Sequence, residues 1–494
     1  MKLGFELVST GGTAKELRAA GLGVTDVSSV TGFPEILDGR VKTLHPKIHG
    51  GILAMRSKKA HMSTLGEHDI QPIDVVAVNL YPFAEESGKK SLKVEEAMDL
   101  VDIGGPTLVR AAAKNHADVV VIVDPDDYPI VLAELAKGKV APSTRVTLAS
   151  KAFSHTARYD AFVAHYFQAE LLKEKFPWDL VIPFHRREVL RYGENHHQQA
   201  AFYNDPLGIF GREPGAATFK QLHGKPLSYN NILDMDAVTE ALKEFDEPTV
   251  VIVKHVTPSG IASAKTLEQA WAEAYATDTY SPFGGVVAAN RAVGPKLAEE
   301  LTKVFLELVI APAFEPKALD VLKAKKNLRL LEVPGLDRAK AAEGWTLTSI
   351  TGGMLLQDRD VKPFDPKSWK TVTKKKPTKD QLHTMWFAAR CVKHVKSNAV
   401  VFAKGTRTVG IGGGQTARVD ASWIACHKGK ENIRGSVMAS EAFFPFRDAI
   451  DVAAENGVVA IVQPGGSIRD EDVIAAADEK GIAMVFSGHR SFRH

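Results

Sequence analysis

The chain has only two cysteines in 494 residues, Cys391 and Cys426. They are too few and too far apart for a thiolate metal cage or a disulfide framework, which points to a reducing compartment. An excess of one charge is also missing. The 62 basic residues face 59 acidic ones, leaving +3, so no overall field draws the protein to nucleic acid or an anionic membrane. No apolar run approaches the roughly 20 residues that span a bilayer. The opening Met1-Lys2-Leu3-Gly4-Phe5-Glu6 lacks the apolar stretch of a signal peptide. The expectation is a cytoplasmic protein that partners neither nucleic acid nor membrane.

What is present is an ordinary globular composition, 45% hydrophobic and 24% charged, enough for two to four domains. Apolar runs and helical periods alternate. Residues 5–9, 74–80 and 119–123 read as strands; residues 13–20, 94–101 and 127–137 read as helices. That is the grammar of a largely parallel sheet with helices on its faces. A long helical stretch over 144–175 ends at Phe176-Pro177-Trp178, placing a boundary near Pro177 to Pro183. The predicted domains are therefore 1–176 and 183–494. In the second, 250–253, 286–289 and 328–333 read as strands, and 267–277 and 295–308 as helices. A break at 361–380, with the run Lys374-Lys375-Lys376, separates predicted subdomains of about 183–365 and 375–494. The lysine run reads as solvated surface. The alternation resumes after the break, so two similar α/β units are expected, although Val251 to His255 and Val400 to Lys404 resemble each other too weakly to prove a repeat.

Four segments of the first domain bring together groups suited to an anionic ligand. Ser9-Thr10-Gly11-Gly12-Thr13 lies between a strand and a helix, where backbone N–H groups face an anion; a plain turn is the alternative. Gly39-Arg40-Val41-Lys42-Thr43-Leu44-His45-Pro46 gathers cations, a hydroxyl and an imidazole, or is simply a solvated basic loop. Asn79-Leu80-Tyr81-Pro82-Phe83 follows an apolar strand, at the carboxyl end where ligands of open α/β sheets gather. Asp102-Ile103-Gly104-Gly105-Pro106-Thr107 opens a second helix, which carries Arg110 and Lys114 on one face, read as close to the helix mouth.

In order and wording these segments resemble the inosine monophosphate cyclohydrolase domain of the bifunctional purine biosynthesis enzymes, which has a methylglyoxal synthase-like fold. The resemblance implies that Thr10, Gly11, Thr13, Arg40 and Thr43 hold a nucleotide phosphate, with Asn79, Gly104 and Gly105 also lining the nucleotide. Lys42, Tyr81, Asp102 and Lys114 would surround the ring that closes. An amide nitrogen attacks a formamide carbon and water leaves, so Lys42 and Tyr81 would serve the departing oxygen and Asp102 and Lys114 would orient the reacting groups. Family members begin with a further strand and a loop containing Ser and Lys, whereas this chain starts at what resembles their second strand. The implied cyclohydrolase site is short by that loop.

The second region carries denser motifs. Leu190-Arg191-Tyr192-Gly193-Glu194-Asn195-His196-His197 invites a metal reading, but no carboxylate or cysteine completes a ligand spacing; no metal is expected. Lys254-His255-Val256-Thr257-Pro258-Ser259-Gly260 emerges at the end of an apolar strand, where a lysine and a histidine are either a surface pair or proton-handling groups. Later come Ser397-Asn398, the glycine-rich 410–418 segment ending in Arg418, and Ala442-Phe443-Phe444-Pro445-Phe446-Arg447-Asp448. The last joins rings to a carboxylate, as a slot for a flat pterin or as core. The closing Gly488-His489-Arg490-Ser491-Phe492-Arg493-His494 either clasps an anion or frays.

This set resembles the aminoimidazole carboxamide ribonucleotide formyltransferase domain, so the likeness runs over nearly the whole chain and implies a cytidine deaminase-like fold of two α/β units. It implies that Lys254 and His255 assist attack of an amine on a formyl carbon and that Asn398 orients the formyl group. Arg191, Tyr192, Asn231, Arg418, Arg490 and Phe492 would hold the nucleotide, and Phe443 and Asp448 would bind the cosubstrate, 10-formyltetrahydrofolate. It further implies a homodimer whose site draws on two subunits, acting on a small-molecule nucleotide and a folate. A monovalent cation is compatible with the pattern. His196 departs from the family, which generally has proline there. The His-x-Glu and Pro-Cys-x-x-Cys of zinc deaminases are absent, against hydrolytic zinc chemistry. Two other readings stay open on sequence: a formyltransferase with an inactive first domain, and a nucleotide-binding regulatory protein without turnover.

Overall fold

The computed structural model describes residues 3–83, 86 and 93–494. Its packing divides the chain into two units, Met1–Pro183 and Phe184–His494.

In the first unit β1 (Val8–Ser9) pairs in parallel with β2 (Thr25–Asp26), and β3 (Val75–Ala77) with β4 (Val120–Ile122). Parallel neighbours require a crossover. Helix Gly11–Ala19 provides the first, and helix Gly104–Lys114 lies on the second. Val119 to Val123 are all buried, with Val76, Val109, Leu148 and Ala152 packed around them, as a strand covered on both faces requires. The long predicted helix is an α-helix over Pro142–Tyr166 that continues as a π-helical turn, Phe167–Leu171.

In the second unit β5 (His185–Leu190) and β6 (Ala200–Asn204) form a hairpin. A 12-stranded sheet follows. One half of it holds β7 (Lys220–His223), β8 (Thr249–Lys254), β9 (Thr257–Ser263), β10 (Gly285–Ala289), β11 (Leu306–Ala311) and β12 (Arg329–Glu332). A separate hairpin, β13 (Trp345–Ile350) with β14 (Gly353–Asp358), intervenes. The other half holds β15 (Lys370–Thr371), β16 (Val400–Lys404), β17 (Arg407–Gly412), β18 (Val437–Ser440), β19 (Ala460–Gln463) and β20 (Ala483–Phe486). From the centre outward the orders are β9-β8-β10-β11-β12-β7 and β17-β16-β18-β19-β20-β15.

The halves repeat each other. Each has an antiparallel edge strand, a helix (Tyr229–Leu242 or Lys379–Val392), a central hairpin, a second helix (Leu267–Tyr275 or Arg418–Gly429), and then three strands stepping outward. Lys254 faces Thr257 and Lys404 faces Arg407 at the two hairpin turns, so the correct equivalence of the halves is one residue away from the one read in the sequence. The segment read as a break at 361–380 carries β15, the outer edge strand, and the amide of Lys374 donates to Asp478. Residues 295–308, expected as one helix, are a short helix Pro295–Leu301 followed by β11; the continuous apolar run hid the change from helix to strand.

Helices Tyr229–Leu242 and Lys379–Val392 share one core cluster, to which both halves contribute; the opposite faces have separate cores. Close approach there demands glycine. A Cβ on Gly260 would lie 2.0 Å from the carbonyl oxygen of Ala274, and one on Gly412 1.9 Å from that of Ala421. At the seam β17 meets β9, and Thr408 reinforces it: its Oγ1 accepts from the amide of Ile261 at 3.0 Å and lies 2.8 Å from the hydroxyl of Thr277. Among the described residues no helix is long and apolar enough to cross a membrane.

Candidate functional site

In the first unit all four segments meet. Thr10 caps helix Gly11–Ala19, and its hydroxyl donates to Glu35. The ammonium of Lys42 lies 3.8 Å from Glu35 and 3.3 Å from where a Cβ on Gly11 would sit. Thr43 Oγ1 comes within 2.9 Å of the equivalent point on Gly104. Asp102 accepts from the amide of Gly105 at 2.8 Å, and Leu80, between Asn79 and Tyr81, crowds Gly105 from the other side. Tyr159 holds the Asp102 loop, accepting from the amide of Asp102 at 2.7 Å and donating to the carbonyl of Leu100 at 3.1 Å. Tyr81 is exposed. Arg40 pairs with Asp99, and Thr13 lies within the first turns of its helix.

Lys114 ends helix Gly104–Lys114, about 15 Å along the axis from Gly104, and Arg110 stacks over Phe153. Lys114 therefore stands at the far end of the helix rather than close to its mouth, because spacing alone fixes a face but not an end.

In the second unit Lys254 closes β8 and its ammonium donates to the carbonyl of Phe283 at 2.8 Å. His255 and Val256 form the two-residue hairpin turn, with φ of 53° and 64°; both lie in the left-handed region. His255 is exposed. The amide of Val256 donates to Asp234, which is 9% exposed, at 2.6 Å. Burial pushes the carboxyl of Asp234 up, partly countered by the turn amides and by His255.

Asn398 is held on three sides. Its amide nitrogen donates to the carbonyls of Gln415 and Thr416 at 2.9 and 3.0 Å, and its Oδ1 accepts from Arg418 at 2.8 Å. In this arrangement Asn398 can still accept from a ligand but has no N–H left to give one. Arg418 is buried, and also donates to the carbonyl of Phe443 at 2.9 Å and to Glu441 at 2.8 Å. A cavity of about 200 Å³ is lined by Thr257 beside the His255 turn, by Gly413 and Gln415 beside Asn398, and by Asp278 and Lys428.

The C-terminal residues dock rather than fray. The amide of Ser491 donates to the carbonyl of Glu441 at 2.9 Å, and Ser397 and Arg493 exchange two hydrogen bonds. Arg490 stacks over Phe492 at 4.7 Å. Arg191 stacks over Tyr192 at 4.6 Å, and His196 packs edge-on to the same ring, so the residue that departs from the family pattern is absorbed by an aromatic contact. Phe443 is half-buried and Asp448 is exposed at the start of its helix. Asn231 is the exception among the expected ligands. It is 7% exposed and committed to a capping box with Ser228, because an amide at the third helical position satisfies the N-cap amide.

Several residues that shape the site were not singled out from the sequence: Asp234, Glu441, Glu35 and the Phe283 carbonyl. Glu441 directly precedes the Ala442-Phe443 motif, but acidic residues are read as surface by default. A further buried pair adjoins the tail. Glu244 accepts from Lys393 at 2.9 Å and from His394 at 3.2 Å. Burial opposes its charge, yet the His394 hydrogen bond and charge and the Lys393 ammonium hold its carboxyl down to about 2, while burial lowers His394. A folded value below the unfolded one stabilises above the unfolded value and is lost as pH falls through the folded one. Glu244→Gln is therefore expected to destabilise this unit at pH 7 by on the order of 3 kcal/mol, with the deficit shrinking between pH 4.5 and pH 2 in urea titrations. A deficit independent of pH would contradict the assignment.

Comparison with known proteins agrees with these motifs. The AICARFT/IMPCHase bienzyme family matches residues 112–428, and an MGS-like domain matches residues 1–107. The bifunctional purine biosynthesis protein PurH of Halalkalibacterium halodurans is 52% identical over 490 residues, covering 99% of this chain and 95% of that protein. PurH of Persephonella marina is 51% identical over 499 residues, covering 100% and 96%. PurH of Bacillus subtilis is 50% identical over 495 residues, covering 100% and 95%. These matches define a bifunctional enzyme of purine biosynthesis, joining a formyltransferase to a cyclohydrolase. The chain belongs to the AICARFT/IMPCHase bienzyme family, with an MGS-like first domain.

Proposed function

We propose that the second unit transfers a formyl group from 10-formyltetrahydrofolate to the amine of 5-aminoimidazole-4-carboxamide ribonucleotide, and that the first unit closes the product to inosine monophosphate. The observation that carries this reading is the cavity lined by Thr257, two residues after His255, and by Gly413 and Gln415, the latter hydrogen-bonded to Asn398.

The folate supplies the formyl group. Phe443 offers a half-exposed ring and Asp448 a carboxylate within one segment, which fits a flat ring bearing N–H donors. His255 takes the proton shed by the attacking amine. Lys254, released from the Phe283 carbonyl, faces the oxygen on which charge develops. Asn398 accepts from the amine through its remaining lone pair. Arg191, Tyr192, Arg418, Arg490 and Phe492 are assigned to the nucleotide, Arg418 chiefly by holding Asn398 and Phe443 in place. In the first unit Thr10, Gly11, Thr13, Arg40, Thr43, Asn79, Gly104 and Gly105 are assigned to the nucleotide. Lys42 and Tyr81 protonate the oxygen that departs as water, and Asp102 orients the amide. Lys114, at the far end of its helix, is assigned with Asp102 to orienting the formamide and the amide.

The protein is read as a cytoplasmic homodimer with domains near 1–176 and 183–494. A cavity of about 200 Å³ is small for a nucleotide and a folate together, and Ile350, Met354 and Leu355 of the β13–β14 hairpin are more than half exposed; both favour a second subunit. The test is turnover of the full chain with both substrates, the products separated by chromatography. Inosine monophosphate is expected. Accumulation of the formamide would restrict the assignment to the transferase, and binding without release of tetrahydrofolate would overturn it.

A further inference from the structure

The two central hairpins should be interchangeable by topology, yet their turns are built differently. In the second half the turn Gly405-Thr406 uses a glycine at φ 56°, where the absence of a Cβ makes the left-handed conformation cheap. In the first half the same turn is His255-Val256, with both residues left-handed. Turns of this kind take Asn-Gly or Asp-Gly, and a β-branched residue there is an outlier.

The supporting helices differ at one matching position. Asp234 and Thr384 stand in the same register after the N-caps Ser228 and Thr378. Thr384 turns its hydroxyl back to the carbonyl of Asp380 in its own helix. Asp234 instead reaches the strained turn, taking the Val256 amide at 2.6 Å. At this position, then, a buried carboxylate stands only in the half whose turn carries the histidine.

We propose that Asp234 is a positioning residue for formyl transfer: its carboxylate holds His255 and Val256 in left-handed geometry, so that the imidazole is presented in a fixed place beside Lys254 at the end of β8. This deepens the assignment of Lys254 and His255 and rests on it. Asp234 touches neither substrate nor reacting atoms and acts through the turn. Strain kept at a functional site persists only where the surroundings over-determine it, and the Asp234 hydrogen bond is that constraint.

The proposal makes a compensation testable. Asp234→Ala should lower kcat for formyl transfer by about 10- to 100-fold, the scale of small misplacements of a reacting group, with both KM values within about threefold. Asp234→Asn keeps an acceptor and should stay within about fivefold of the parent. Adding Val256→Gly, which removes the Cβ that resists the conformation, should return Asp234→Ala to within about fivefold of the parent kcat. Failure of glycine to rescue, or full activity of Asp234→Ala, overturns the proposal. Thermal unfolding of the same variants separates this from the assignment beneath it. If the parent transfers no formyl group, the function assignment fails, while restoration by Val256→Gly of at least half the midpoint lost in Asp234→Ala still supports the Asp234–turn coupling, and no restoration refutes it.

Discussion

Replacing His255 by alanine is expected to cut kcat for formyl transfer by about 10² to 10⁴, while cyclisation of supplied formamide by the same protein continues at the parent rate. The size follows from the role. An aromatic amine beside a carboxamide is a poor nucleophile, and attack on the formyl carbon leaves it with a proton that must go to a base as the new bond forms. His255 is the exposed imidazole of the hairpin turn, two residues before the cavity-lining Thr257. The residues assigned to cyclisation belong to Met1–Pro183 and His255 to Phe184–His494, so the supplied formamide serves as an internal control. Steady-state release of tetrahydrofolate and of inosine monophosphate, measured on one preparation, gives both rates. Loss of both activities together would mean that the substitution damages the protein, and retention of transfer would remove His255 from the reaction.

Arg418→Met should cost the second unit about 3–5 kcal/mol, the range for removing one partner of a buried ion pair. The side chain of Glu441 is 0% exposed and Arg418 reaches it at 2.8 Å. The same guanidinium also ties down Asn398 and the Phe443 carbonyl. Methionine fills the volume but leaves a carboxylate stranded in the core. Arg418→Met with Glu441→Gln removes that charge and should recover more than half of the loss. Five of the six tryptophans lie in this unit, so their fluorescence in urea follows the relevant transition. A single-variant loss below about 1 kcal/mol, the value of an exposed pair, would show that water reaches Glu441.

Much of the chemistry was legible because it is local. Val250 to Val253 is apolar on both faces, so the strand and the Lys254-His255 pair at its end follow from composition. The repeat was not legible in the same way. Strand order and burial repeat between the halves, whereas β8 and β16 share little beyond apolar character and a final lysine. The 410–414 glycines stand out in the sequence, and Gly412 admits the neighbouring helix; close packing and ligand approach ask for the same residue. Asn231 was implied as a ligand by the family resemblance, and its place three residues after Ser228 makes it a cap. Lys114 read as close to the helix mouth because spacing gives a face; the helix length puts it at the far end. Asp234 escaped notice because the turn it supports is distant in sequence.

The core shared by helices Tyr229–Leu242 and Lys379–Val392 bears on how such a repeat can change over time. Once two copies bury a common face, neither can be lost or expressed alone without exposing an apolar surface to aggregation. Drift is then confined to the turns and helix ends. There one copy keeps a glycine and the easy conformation, and its sister is free to take on a difficult conformation for the sake of a reactive side chain.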